Sequence, residues 1–133
     1  MKNYILLIFA FLFFMNCVNN VEDQVPEIPD GPISYATDIQ PIFNSSCGGG
    51  FCHTNGDNVN GVNLDSYQNT INSEGTSYGG LIVVPNNADN SPLVDKLGSN
   101  PEFGSRMPQG RSALSNSETG KIIAWINQGA QNN

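Results

Sequence analysis

Basic residues are scarce in this sequence, with five Lys and Arg against twelve Asp and Glu and a formal net charge of −7. Such a surface repels nucleic acid and anionic lipid, and it favours partners with basic docking patches. Histidine is scarcer still: His53 stands alone. A single imidazole with no nucleophile–base constellation around it leaves catalysis little support. No apolar run reaches the roughly 20 residues of a comfortable membrane-spanning helix. No alternating run is long enough to demand a sheet. The 133 residues allow one ordinary domain, and an apolar fraction of 38% is low for it. Small domains in that position add disulfides, a metal or a large cofactor to their core.

What is present begins with an apolar run over 4–15, preceded by Lys2 and followed by Cys17. Its length suits the core of a signal peptide. The approach to Cys17 through Phe14, Met15 and Asn16 resembles the lipobox of bacterial lipoproteins. That resemblance implies a signal peptide over 1–16 and an acylated Cys17 as the mature N-terminus. Residues 17–33 carry Pro26, Pro29 and Pro32 without apolar periodicity, as expected of a flexible tether. The expected location is the cell envelope, lipid-anchored in the periplasm or at the cell surface. From Cys17 onward all twelve acidic residues remain, but only Lys96, Arg106, Arg111 and Lys121 are basic.

Helices are expected at three places. Tyr35, Ile39, Ile42 and Phe43 form one apolar face over 34–46, with Pro41 predicting a late start or a kink. Ser91 and Pro92 open a short helix carrying Leu93, Val94 and Leu97, which Gly98 can end. Ser115 and Glu118 fit a capping box ahead of Ile122, Trp125, Ile126 and Ala130. Between them, 54–91 is rich in Asn, Gly, Ser and Asp and predicts loops with one short helix.

The chemistry concentrates in Cys47-Gly48-Gly49-Gly50-Phe51-Cys52-His53. Covalent haem attachment uses C-x-x-C-H: two thiols add across the vinyl groups, and the adjacent His faces the iron. Four residues rather than two separate the cysteines here. Gly48, Gly49 and Gly50 lack a Cβ and can adopt positive φ, so a longer loop can fold tightly. A second register leaves Cys47 free and hangs haem c from Cys52 by one thioether; a spare thiol in an oxidising compartment weighs against it. His53 is then one axial ligand. Met107, the only Met beyond the apolar run, supplies the other by elimination. It stands before Pro108 in a polar loop, which is unusual for a core-filling Met, and a His/Met pair favours ferrous iron.

Further short strings carry a family resemblance. Asp38-Ile39-Gln40-Pro41-Ile42-Phe43, Val84-Pro85, Ser91-Pro92-Leu93, Met107-Pro108, Leu114-Ser115 and Trp125-Ile126-Asn127-Gln128-Gly129-Ala130 occur in the order seen in small bacterial c-type cytochrome domains, which the chain resembles over roughly 34–131. The resemblance implies a mainly α, cytochrome c-like fold over 34–133, its N- and C-terminal helices packed around one haem amid long irregular loops. It makes Phe43, Leu93, Leu97 and Trp125 candidates to line the haem or the helix crossing, although Trp125 at this spacing is most simply core. The implied function is electron transfer with other exported redox proteins or membrane redox complexes.

Other readings of the same residues remain. A Cys47–Cys52 disulfide would staple a cell-envelope binding module without haem. A zinc site from Cys47, Cys52 and His53 would need a fourth, acidic ligand. Asp57, Asn58, Asn60, Asn63 and Asp65 suggest a calcium loop but lack the Gly and Glu placement of an EF-hand.

Overall fold

The computed structural model describes residues 25–133. The apolar run and Cys17, with the signal peptide and lipidation expected there, lie outside the described residues. Among the described residues the regular structure is four α-helices, two π-helical segments and one two-stranded sheet, joined by long loops, so it is helical more than it is sheet.

The first helical segment begins at Ser34, whose hydroxyl accepts from the Thr37 amide at 3.3 Å while its own amide donates to Asp38 Oδ2 at 3.1 Å. Pro41 then decides its character. Proline has no N–H to donate and its ring crowds the preceding turn. The chain responds with wide π-turns at Tyr35–Ile39 and Phe43–Cys47, which flank a single α-turn, α1 (Gln40–Ile42). The expected disturbance at Pro41 is thus a widening of the helix on both sides. The predicted face still points inward, with Tyr35, Ile39, Ile42 and Phe43 all buried.

Helix α2 (Tyr67–Asn72) starts at Ser66, whose side chain accepts from the Asn69 amide at 3.2 Å. Strands β1 (Glu74–Gly75) and β2 (Gly80–Leu81) pair antiparallel, with Glu74 opposite Leu81 and Gly75 opposite Gly80. Helix α3 (Pro92–Leu97) follows Ser91 and ends at Gly98. The Ser91 hydroxyl does not cap it; it accepts from the Val84 amide at 2.9 Å and ties the preceding loop to the helix start. Helix α4 (Asn116–Asn127) has both halves of the capping box between Ser115 and Glu118.

Core packing joins the two ends of the described segment. Tyr35 contacts Trp125 at a centroid distance of 5.3 Å and Tyr67 at 5.2 Å, and Asp38 meets Lys121 of α4 at 3.3 Å. Fully burying each such aromatic or branched side chain stabilises by about 1.5–3 kcal/mol. Phe43 and Trp125 are therefore core residues. The end of the expected tether also touches the domain. The Glu27 amide donates to the Asn116 carbonyl at 3.3 Å, and Gln128 bridges the Ile33 amide at 2.8 Å and the Gly31 carbonyl at 2.9 Å. Among the described residues no helix is long and apolar enough to cross a membrane.

Candidate functional site

An open cleft with a cavity volume of about 110 Å³ lies between the Cys47–His53 loop, the β1–β2 turn and α3. Leu64, Ile82, Leu93 and Leu97 give it apolar walls. Three of the four expected haem residues, Cys47, His53 and Met107, line this one cleft although 60 residues of sequence span them (roughly). Cys52 is partly buried but does not line it. Leu93 and Leu97 are in its wall, whereas Phe43 and Trp125 are not.

The cysteine loop is shaped by its glycines. Gly49 and Gly50 take positive φ of 85° and 56°. Gly48 instead has an extended φ of −99°, and its lack of a Cβ matters because one would overlap Thr54 Oγ1. The loop closes through the His53 amide, which donates to the Cys47 carbonyl at 3.2 Å. Phe51 has φ of 66° and is 86% exposed, so its ring stands outside the cleft. Cys47 and Cys52 are both free thiols. Burial pushes the Cys47 thiol up to about 11, partly offset by the nearby Arg111 guanidinium.

His53 is held at both ends. Its carbonyl accepts from the Leu64 amide at 2.6 Å, and its Nδ1 lies 3.1 Å from the Val62 carbonyl oxygen. A carbonyl only accepts, so Nδ1 carries the hydrogen and Nε2 keeps its lone pair. Metal-ligating histidines are commonly oriented in this way.

Met107 is delivered by the loop after α3. Its amide donates to the Lys96 carbonyl at 2.8 Å, and Arg106 Nε donates to the Leu97 carbonyl at 2.8 Å. Beyond it, Arg111 donates to the Ser45 carbonyl at 3.2 Å, joining the methionine loop to the cysteine loop. Tyr78, Asp95, Lys96 and Phe103 surround the same loop and were not singled out by sequence. They belong to no motif that sequence could have flagged.

Asp65, one of the candidate calcium residues, is committed to the backbone. Its carboxylate accepts from the Asn55 and Gly56 amides at 2.5 and 2.8 Å and from Asn63 Nδ2 at 3.1 Å. Those bonds, that of Gly56 foremost, hold its carboxyl below the usual range. Among the described residues no three His, Cys, Asp or Glu side chains group as a metal site.

No family model matches the chain, and no curated protein matches it. Among solved structures it is similar to Kuenenia stuttgartiensis hydrazine synthase, at 24% identity and a TM-score of 0.47. The similarity covers 74% of this chain and 16% of that one, so the chain spans under a fifth of that protein's length.

Proposed function

We propose that the protein is an electron carrier, not an enzyme, with one c-type haem in the cleft and a cytochrome c-like arrangement around it. The observation that carries this reading is the convergence of Cys47, His53 and Met107 on one largely apolar cleft. The donor set fits the group: a thiol in the wall, an imidazole with Nε2 free and a thioether. The apolar walls suit a broad hydrophobic plate.

In this reading Cys47 in the cleft wall, and Cys52 from the same loop although it does not line the cleft, would anchor the porphyrin. Thioether attachment at these thiols would be a redox-neutral addition, needing no oxidant or reductant. His53 and Met107 would hold the iron of a bound haem. The haem, when bound, supplies one-electron Fe(II)/Fe(III) exchange. The chain's own contribution would be to orient His53 and Met107 and to set the potential through the thioether. Partners are other exported redox proteins or membrane redox complexes with basic patches, reached from a lipid anchor at Cys17 in the cell envelope.

The alkaline pyridine haemochrome spectrum tests the reading. A band at the position of two saturated vinyl groups is expected. One at the single-thioether position removes one cysteine from the site, and no band removes the haem.

A further inference from the structure

The segment after α3 has little reason to be rigid. Residues 98–110 contain no helix or strand, and they include Gly98, Ser99, Gly104, Ser105 and Gly110. Loops of such composition ordinarily sit at the mobile end of a fold. Here three successive residues of one helix grip it.

The Asp95 carboxylate accepts from the Glu102 amide at 2.9 Å. The Lys96 ammonium donates to the Phe103 and Ser105 carbonyls at 2.7 and 2.6 Å, while its backbone carbonyl accepts from the Met107 amide at 2.8 Å. The Leu97 carbonyl accepts from Arg106 Nε at 2.8 Å. Lys96 also sits in the last turn of α3, where its charge opposes the partial negative charge of the helix end. From the far side, Tyr78 of the β1–β2 turn donates its hydroxyl to Asp95 and sets its ring edge-on to Phe103, at 4.9 Å and 82°.

We propose that Tyr78, Asp95 and Lys96 are positioning residues: a clamp that holds the Met107 loop against the cleft and keeps the thioether poised for the iron. The inference rests on the haem reading above. Its chemical logic is preorganisation. A methionine on a slack loop loses conformational freedom whenever it binds iron, and a competing ligand then displaces it easily. A methionine already fixed by main-chain bonds loses less, so its hold on the iron is stronger. In a chain with so few cations, Lys96 is used on two loop carbonyls and not on a carboxylate.

Two variants keep the packing and remove the polar grip. Lys96→Met retains the apolar stem and deletes the ammonium; Tyr78→Phe retains the ring and deletes the hydroxyl. Two readouts are needed. In the protein without haem, hydrogen exchange at the Met107 amide should accelerate about tenfold, equivalent to ~1.4 kcal/mol. In the ferric haem-loaded protein, imidazole should displace Met107 at about a tenfold lower concentration, with Lys96→Arg restoring most of the difference. Exchange that rises while imidazole affinity stays within twofold of wild type would leave a purely structural loop contact and overturn the clamp. Unchanged exchange in both variants overturns it too. A wild-type chain without a haemochrome band overturns the haem reading and the clamp's purpose with it, whereas a haem-loaded wild type with unaltered variants overturns the clamp alone.

Discussion

The Nδ1 atom of His53 points at the carbonyl oxygen of Val62, 3.1 Å away, which leaves Nε2 as the basic nitrogen of the ring. The carbonyl is itself fixed, since the Val62 amide bonds to the Val59 carbonyl at 3.2 Å across a small bridge. The imidazole is therefore oriented by backbone before any metal contacts it. Long-range ¹⁵N–¹H correlation spectra of the haem-free protein at pH 8 should give the Nδ1–H tautomer. An Nε2–H pattern would remove the argument for a preset axial ligand.

Met107 lines the cleft from the opposite loop to His53. In the haem-loaded protein, Met107→Ala should abolish the thioether–iron charge-transfer band while the covalent haem remains. Persistence of the band would assign the second axial position to another group.

Cys47 makes a separate prediction because its partly buried thiol is held up at about 11. The thiolate is the reactive form, so alkylation of native, haem-free protein at pH 8 should be slower at Cys47 than in urea by on the order of a hundredfold. Peptide mapping after iodoacetamide labelling measures this site by site. Equal rates in native protein and urea would mean that the thiol is not in the cleft wall.

The helices were legible wherever their signals were local. Pro92 at the first helical position with Gly98 at the end, and Ser115 with Glu118, specify α3 and α4 through local signals, although the expected Ser91 side-chain cap is not made. The first helix was legible as a buried face but not as π-turns, because Pro41 marks a missing donor without saying how the chain re-routes around it. Strands of two residues are too short to show alternation, so β1 and β2 left no trace. The site divides the same way. Cys47, Cys52, His53 and Met107 stand out by rarity, but only tertiary structure places Cys47 in the wall and leaves Cys52 outside it. Tyr78 and Asp95 meet across 17 residues with no motif to announce them.

Phe51 occupies a left-handed conformation at φ 66° with its ring exposed. An L side chain there costs about 1–2 kcal/mol relative to glycine, and little burial offsets it. Phe51→Gly should therefore raise stability by up to ~1 kcal/mol, once glycine's larger unfolded-state entropy is subtracted. Urea unfolding of the haem-free protein gives the number; destabilisation would show that the ring packs on something after all.

Acid should weaken the fold through two carboxylates. The Ser34 amide, and after it Lys121, hold Asp38 below the ordinary carboxylate range, and the Gly56 and Asn55 amides do the same for Asp65. A lowered folded-state value means stability that is fully present above the unfolded value, near 3.9, and is lost as pH falls through the folded one. Asp65→Asn should flatten part of that fall, seen as a smaller difference between urea midpoints at pH 5 and pH 3. An unchanged difference would deny Asp65 a share in it.

Gly120 gives a prediction in which two effects oppose each other. It lies within α4, where alanine is the better helix former by about 1 kcal/mol, so Gly120→Ala on a free helix face should stabilise. In this fold Gly120 is buried beneath the segment leading out of the expected tether, and an added Cβ would overlap the Glu27 carbonyl. The obstacle is backbone, which cannot swing aside as a side chain would. Relief requires lifting residues 27–33, breaking the Glu27–Asn116 bond and straining the Gln128 bridge to Gly31 and Ile33. Overpacking of this kind costs about 1–3 kcal/mol, enough to cancel or exceed the gain in helix propensity. Gly120→Ala should thus fail to stabilise, and limited proteolysis should cut sooner between residues 25 and 33. A variant that is about 1 kcal/mol more stable, with cleavage unchanged, would mean that the segment does not rest on α4 and that the tether's free length extends to the start of the first helix.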